Sequence, residues 1–457
     1  MGMREWKTSR KELLPQNMRE WVGDAALFVD FLVSFVKELG QTDPQLQAST
    51  NRMGAPSFDR RMLLAVWLYG LRSGITSCRK LEEACRLRVD FLYLTGRQLP
   101  DHSTLWLFFN EYRSELKPTF KRLVEWLRSK SLVRGEVVLI DGTMVASAGS
   151  RHQLRKVEKL EKQLSEMEEE WNRRLEQVTE GEGEEDGSAQ RSKEQVRLEQ
   201  QIASALAETK NRDEKKTKKV CLTDPESAVV KYKDYGAGPG YNVQVSSDAE
   251  TGMVLSVEAT TDKSDVHQLA RQTQNAQEML GSAPTAVVAD AGYHTADELA
   301  EVEGRKIDVY CPEKPNANNT CDNPFSAQHF RLDEERSVMV CPAGEELGYV
   351  RTETVSTGRI RTTQTLIYRG GEACSRCEYF GRCTKSPRGR TVKRVKNYEA
   401  SRRTIERTKT ELGKERLAQR RQIEHRMSDL KSRIGLRRVW VKGRERVTSS
   451  CYLRQWR

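Results

Sequence analysis

The 457-residue chain lacks any stretch near the ~18 uninterrupted apolar residues that a membrane-spanning helix needs. Its most apolar early run, Ala25 to Val36, is broken by Asp30 and lies too far in to serve as a signal peptide. With no secretory signal, the ten Cys are expected as reduced thiols or metal ligands in the cytoplasm, not as a disulfide framework. Histidine is scarce, with six scattered residues and no pair at a spacing suited to catalysis. Apolar residues make up only 37% and charged residues 31%, which describes a polar, soluble chain. At ~150 residues per domain, its length still allows two or three domains with a sizeable core.

Positive charge is present but unevenly placed. The net charge is +11, and residues 391–457 alone hold 21 Lys and Arg against 7 Asp and Glu, so the preceding chain is slightly acidic. A basic tail of this kind points to a polyanionic partner, most commonly nucleic acid.

Residues 1–56 read as an N-terminal segment and linker, with a helix over Asp24 to Leu39. Leu63, Leu64, Trp67, Leu68 and Leu71 then recur at helical spacing, and further helices are expected over Cys78 to Leu87 and Thr104 to Leu127. Pro100 to Thr104 supplies a helix start with a Ser or Thr cap. Residues 57–134 therefore form a helical domain, suited either to DNA binding or to plain packing.

Val137-Val-Leu-Ile140 suits a strand buried on both faces, running into Asp141 and Gly142. Alone, Asp141 reads as the cap of an Asp-Gly turn. Residues 151–219 are dense in charge with apolar residues at three- to seven-residue spacing, which predicts a projecting antiparallel helical hairpin with an acidic tip at Glu180 to Ser188. Strands return at Gly240 to Asp248 and Met253 to Ala259, followed by a helix from Asp265 to Leu280. A second buried strand, Thr285 to Asp290, again ends in Asp ahead of a Gly turn. Thr295 and Glu298 open the next helix as a capping box, and Lys306 to Cys311 forms a short strand. This order is that of an α/β, ribonuclease-H-like catalytic core over residues 135–457, interrupted by the 151–219 hairpin and a Cys-containing insertion at 312–390. Two acids at the ends of neighbouring buried strands would approach one metal site.

A two-metal phosphoryl-transfer site needs further carboxylate ligands, because two divalent ions ~4 Å apart require hard oxygen donors. Leu417 to Lys431 reads as a helix with Leu417, Ile423, Met427 and Leu430 inward, and Arg420, Glu424 and Lys431 on roughly one face. These three are either an ordinary surface ion-pair set or a metal ligand framed by phosphate-binding cations. Between the strands and this helix, Cys341, Cys374, Cys377 and Cys383 form either a thiolate zinc site or four free thiols.

Arg420, Glu424 and Lys431 match the Arg, Glu, Lys spacing of bacterial insertion-sequence DDE transposases with a Tyr-Arg-Glu-Lys signature, and the chain resembles that family. Leu417 stands where the family has Tyr, which removes a hydroxyl contact to DNA. The resemblance also takes in Arg79 to Glu83, Pro100 to Thr104, Asp224 to Ala228, Gly240 to Gln244, Ala289 to Tyr293, Gly435 to Arg438 and Lys442-Gly443. It implies Asp141, Asp290 and Glu424 as catalytic residues binding two Mg²⁺ (or Mn²⁺) ions, with Arg420 and Lys431 on DNA phosphates. It further implies cleavage and strand transfer at the element's ends. The implied partners are double-stranded DNA with terminal inverted repeats, target DNA and a second copy of the chain, with the protein cytoplasmic and on the nucleoid when bound. A catalytically silent DNA-binding descendant and a nuclease of the same fold are the competing readings.

Overall fold

The computed structural model describes residues 17–47, 57–75, 77–179, 192–211, 218–232, 236–313, 324–333, 336–356, 362–432, 435–439 and 441–454. The architecture is mixed α/β and divides into two compact units, residues 1–129 with 449–457 and residues 130–448. Among the described residues no helix is long and apolar enough to cross a membrane.

The first unit is helical. Helices Ala25–Thr42 and Arg60–Arg72 pack together, and Leu32, Phe35, Leu64, Leu68, Leu81, Phe91 and Leu105 are fully or almost fully buried. The single helix expected over 104–127 is two, His102–Tyr112 and Leu116–Ser129, joined by a tight 3₁₀ turn at Arg113–Glu115. Pro118 explains the break, because proline lacks an N–H and is tolerated only in a helix's first turn. The expected start at Pro100 to Thr104 is present, but Asp101 caps it by accepting the Thr104 N–H at 2.7 Å.

The second unit is built on a six-stranded sheet. Its strands are β1 (Val137–Ala146), β2 (Ala228–Tyr232), β3 (Gly236–Asp248), β4 (Val254–Thr260), β5 (Ala286–Val288) and β6 (Asp308–Tyr310). β1 lies at the centre, antiparallel to β3 and parallel to β5, which is in turn parallel to β6. β2 and β4 both pair with the long β3. Val137 and Leu139 face a cluster with Ala286, Val288, Tyr310 and Ile423, so the helix Arg420–Ser432 lies over that face of β1.

Asp141 is not at the end of its strand. β1 runs on through Gly142 to Ala146, with Asp141 opposite Val245 and Gly142 opposite Gln244. The strand that ends is β5, at Val288, so β1 loses its parallel neighbour just where Asp141 stands. Gly142 therefore serves space within a strand and not a turn.

Helices Val157–Thr179 and Lys193–Asn211 pack through Leu160, Ile202, Ala205 and Leu206, with Leu154–Lys156 and Lys219–Cys221 paired at their base. The acidic tip expected between them lies outside the described residues. The helix expected from Asp265 begins only at Leu269, because residues 261–268 are irregular and His267 takes a left-handed φ of 66°. The Thr295–Glu298 capping box does not form. Glu298 instead accepts the Leu269 N–H at 2.7 Å and so caps the neighbouring helix.

Candidate active site

The parallel register Val137↔Ala286, Val138↔Val287, Leu139↔Val288 sets the geometry of the site. Carried forward two residues, it brings Asp141 and Asp290 to the same level on adjacent chain segments. Asp290 closes β5 and starts a 3₁₀ turn, its Oδ1 accepting the Gly292 N–H at 2.7 Å. Asp141 Oδ1 accepts the N–H of Gly142 at 2.9 Å.

A third acid joins them, and sequence reasoning did not single it out. Asp265, in the irregular segment before the Leu269–Leu280 helix, accepts Asn242 Nδ2 at 2.9 Å and Gln244 Nε2 at 2.7 Å on the same oxygen, Oδ1. Tyr293, fully buried, donates its hydroxyl to Gln244 Oε1 at 2.5 Å. That donor fixes the Gln244 amide with its nitrogen toward Asp265. A Cβ on Gly142 would overlap Asp265 Oδ1 and Gln244 Nε2, and one on Gly292 would crowd Asp290 Oδ1. Both glycines therefore leave room for carboxylates. The signal available in the sequence was the alternation of Asn242 and Gln244 with Tyr241, Val243 and Val245. Buried amides on one face of a strand require an acceptor.

Burial pushes the Asp141 carboxyl up to about 6; the Gly142 N–H and Arg420 oppose this, while the charges of Asp290 and Asp265 add to it. Burial also pushes the Tyr293 hydroxyl well up, reinforced by Asp265, Asp141 and Asp290, so it stays a neutral donor. The three aspartates thus share one electrostatic environment, in which burial and their mutual repulsion outweigh the single cation Arg420 at Asp141.

Arg420 reaches that environment from the overlying helix. Its Nη2 lies 3.6 Å from Glu424 Oε1, and its buried Nε has no hydrogen-bond partner among the described residues. Glu424 itself is largely exposed, next to the buried Ile423. Lys431 lies two turns further along the same helix. Cys341, Cys374, Cys377 and Cys383 come together elsewhere, lining a single cavity. Among the described residues no three His, Cys, Asp or Glu are drawn tightly enough to hold an ion as they stand.

The raised Asp141 pKa carries a stability consequence. Between the ordinary value of 3.8 and about 6 the folded chain holds a proton that the unfolded chain has released, so without metal its stability falls as pH rises through that window. Asp141→Asn removes this slope. In chelator at pH 8, denaturant unfolding is expected to show the variant more stable than wild type by about 2 kcal/mol, with the difference gone by about pH 4. Equal stabilities at both pH values would show that Asp141 is not strained by burial and neighbouring charge.

Residues 12–111 match the family described as Transposase domain (DUF772). Residues 340–455 match the family described as Transposase DDE domain, a span that contains Arg420, Glu424, Lys431 and the four clustered cysteines. No curated protein matches the chain.

Proposed function

With two transposase families matched, one toward each end of the chain, supporting an insertion-sequence DDE transposase, we propose that this protein cleaves the DNA ends of an insertion sequence and joins them to target DNA. The observation that carries this reading is the level pairing of Asp141 and Asp290 on adjacent chain segments, with Asp265 beside them and Arg420 approaching from the overlying helix.

The donor set suits hard divalent ions. Three aspartates share one partly buried space, glycines at 142 and 292 keep that space open, and the Asp141 carboxylate is destabilised without a cation. Asp141, Asp290 and Glu424 would hold Mg²⁺ or Mn²⁺, with Asp265 adding charge behind them. When bound, such ions supply positive charge opposite the attacking and leaving oxygens of phosphoryl transfer.

The chain's own residues do the rest. Arg420, which lies beside Glu424, would offer the N–H groups of its guanidinium to a phosphate oxygen near the scissile bond. Lys431 adds a second phosphate contact along the same helix. Tyr293 and Gln244 hold Asp265 in one orientation, so the acids are set before DNA arrives. The helical unit around residues 57–134 reads the terminal inverted repeats, and the basic residues after 390 neutralise phosphates. Pairing of two DNA ends calls for at least two copies of the chain on DNA, and acting on chromosomal DNA it would work on the nucleoid in the cytoplasm.

The test is a reconstituted reaction with Mg²⁺ and DNA carrying the repeats that flank the gene. Cleavage at the element boundary followed by joining to a target is expected. Cleavage without joining would make the protein a nuclease, and binding without cleavage in either Mg²⁺ or Mn²⁺ would make it a silent DNA-binding descendant.

A further inference from the structure

The segment between β6 and the C-terminal helices forms its own small module. Five strands, Arg331–Asp333, Val338–Val340, Glu346–Ser356, Thr362–Arg369 and Thr391–Val395, make one antiparallel sheet. Among the described residues its buried apolar cluster is Phe330, Met339, Leu347, Tyr368 and Val392, with Leu332, Leu366, Cys341 and Cys383 packed partly buried against it. Modules this small rarely hold together on such a core, and commonly use a disulfide or metal staple. All four cysteines of the module are free of disulfides.

The four cysteines line one cavity of about 20 Å³, walled otherwise largely by apolar side chains such as Phe325 and Phe330, and among the described residues their side chains must draw closer before they could hold an ion. Turns position three of the cysteines and a short helix the fourth. Cys341 opens the turn Cys341-Pro-Ala-Gly344, where Gly344 takes a φ of 87° and the Glu345 N–H donates to Cys341 Sγ at 3.3 Å. Cys374 lies in the short helix Gly371–Arg376, and its Sγ receives the Arg390 backbone N–H at 3.4 Å. Cys377 caps that helix, and Cys383 follows a turn in which its N–H bonds the Tyr379 carbonyl at 2.9 Å. A thiol is a weak acceptor and a thiolate a strong one, so backbone N–H groups aimed at two sulfurs fit a site in which those sulfurs carry negative charge. A Cβ at Gly370 would overlap Cys374 Sγ, so the backbone also closes tightly around that sulfur.

We propose that Cys341, Cys374, Cys377 and Cys383 bind one structural Zn²⁺ as a tetrathiolate that staples this module. The soft donor set selects zinc over the hard ions suited to the aspartates. On binding, the sulfurs close inward, each S–H proton passes to solvent and no oxidation occurs.

Elemental analysis of the full chain, purified under reducing conditions without chelator, is expected to give one zinc per protein, unchanged in Asp290→Asn. Cobalt exchanged into the site should show the intense visible bands and sulfur-to-metal charge transfer of tetrahedral thiolate coordination. The double variant Cys377→Ser, Cys383→Ser should lose the zinc. Should that variant fail to fold, the native protein still decides the matter, since a thiol reagent should find four cysteines protected until a chelator removes the metal. Folded native protein free of zinc, zinc retained by the double variant, a six-coordinate cobalt spectrum, or four freely reacting thiols would each overturn the proposal. None of these readouts depends on DNA cleavage, so they stand apart from the transposase reading.

Discussion

Asp290→Asn is expected to lower strand cleavage by at least ~10³-fold, roughly 4 kcal/mol of transition-state stabilisation, while leaving affinity for the terminal repeats within about twofold. The substitution removes one charge and little else. The introduced amide would keep an oxygen to accept the Gly292 N–H, so the 3₁₀ turn that closes β5 persists. That amide cannot neutralise a divalent ion as a carboxylate does, so the ions would be left with one negative charge fewer among their proposed ligands. Single-turnover cleavage and a gel-shift titration with the same DNA separate the two effects. Normal cleavage by the variant would remove Asp290 from the chemistry.

Asp265 is expected to show the next largest effect, in a way that distinguishes charge from shape. Asp265→Ala strips the acceptor from two amides, Asn242 Nδ2 and Gln244 Nε2, and leaves them buried and unpaired. That loss should cost about 1–3 kcal/mol of stability together with about 10²-fold in cleavage, because the supporting network of the site collapses. Asp265→Asn keeps an oxygen for both amides and should fold almost as stably as wild type, yet still lose about 10²-fold in cleavage if the second carboxylate oxygen faces the metals. Full activity in Asp265→Asn would reduce Asp265 to a structural acceptor. Chemical denaturation beside single-turnover rates reads both quantities on the same preparations.

The contrast between these two aspartates shows what local sequence can and cannot convey. The run Val137 to Ile140 announces a buried strand because β-branched residues with no polar alternation fit only a doubly covered position, and Val287 and Val288 do the same for β5. Ile423, Met427 and Leu430 likewise reveal which side of the Arg420–Ser432 helix turns inward. Asp-Gly at 141–142, by contrast, carries a strong local turn signal, and sheet pairing overrides it, since β3 runs antiparallel past both residues.

Asp265 was hidden for a similar reason. Within Thr261-Asp-Lys-Ser-Asp265 it looks like the polar start of a helix, and only the pairing of β4 with β3, which sets Thr260 opposite Asn242, brings this segment to Asn242 and Gln244. Glu298 shows the same limit, because the three-residue spacing to Thr295 permits a capping box but the unprotected N–H of Leu269 in the adjacent helix takes the carboxylate instead. Long-range partners of short polar side chains are set by tertiary geometry, and periodicity does not encode them.

Glu424 holds the decisive position, because the structure gathers Asp141, Asp290 and Asp265 in one environment but leaves Glu424 mostly exposed and tied to Arg420. If Asp141, Asp290 and Glu424 act as one metal-binding unit, removing any member should disable it almost as fully as removing two. The most direct measurement is therefore the single-turnover cleavage rate, in Mg²⁺ on saturating end DNA, of Glu424→Gln, Asp290→Asn and the double variant. All three rates are expected to fall together by about 10³-fold or more, with no further loss in the double variant. Cleavage near the wild-type rate by Glu424→Gln would contradict the three-acid site.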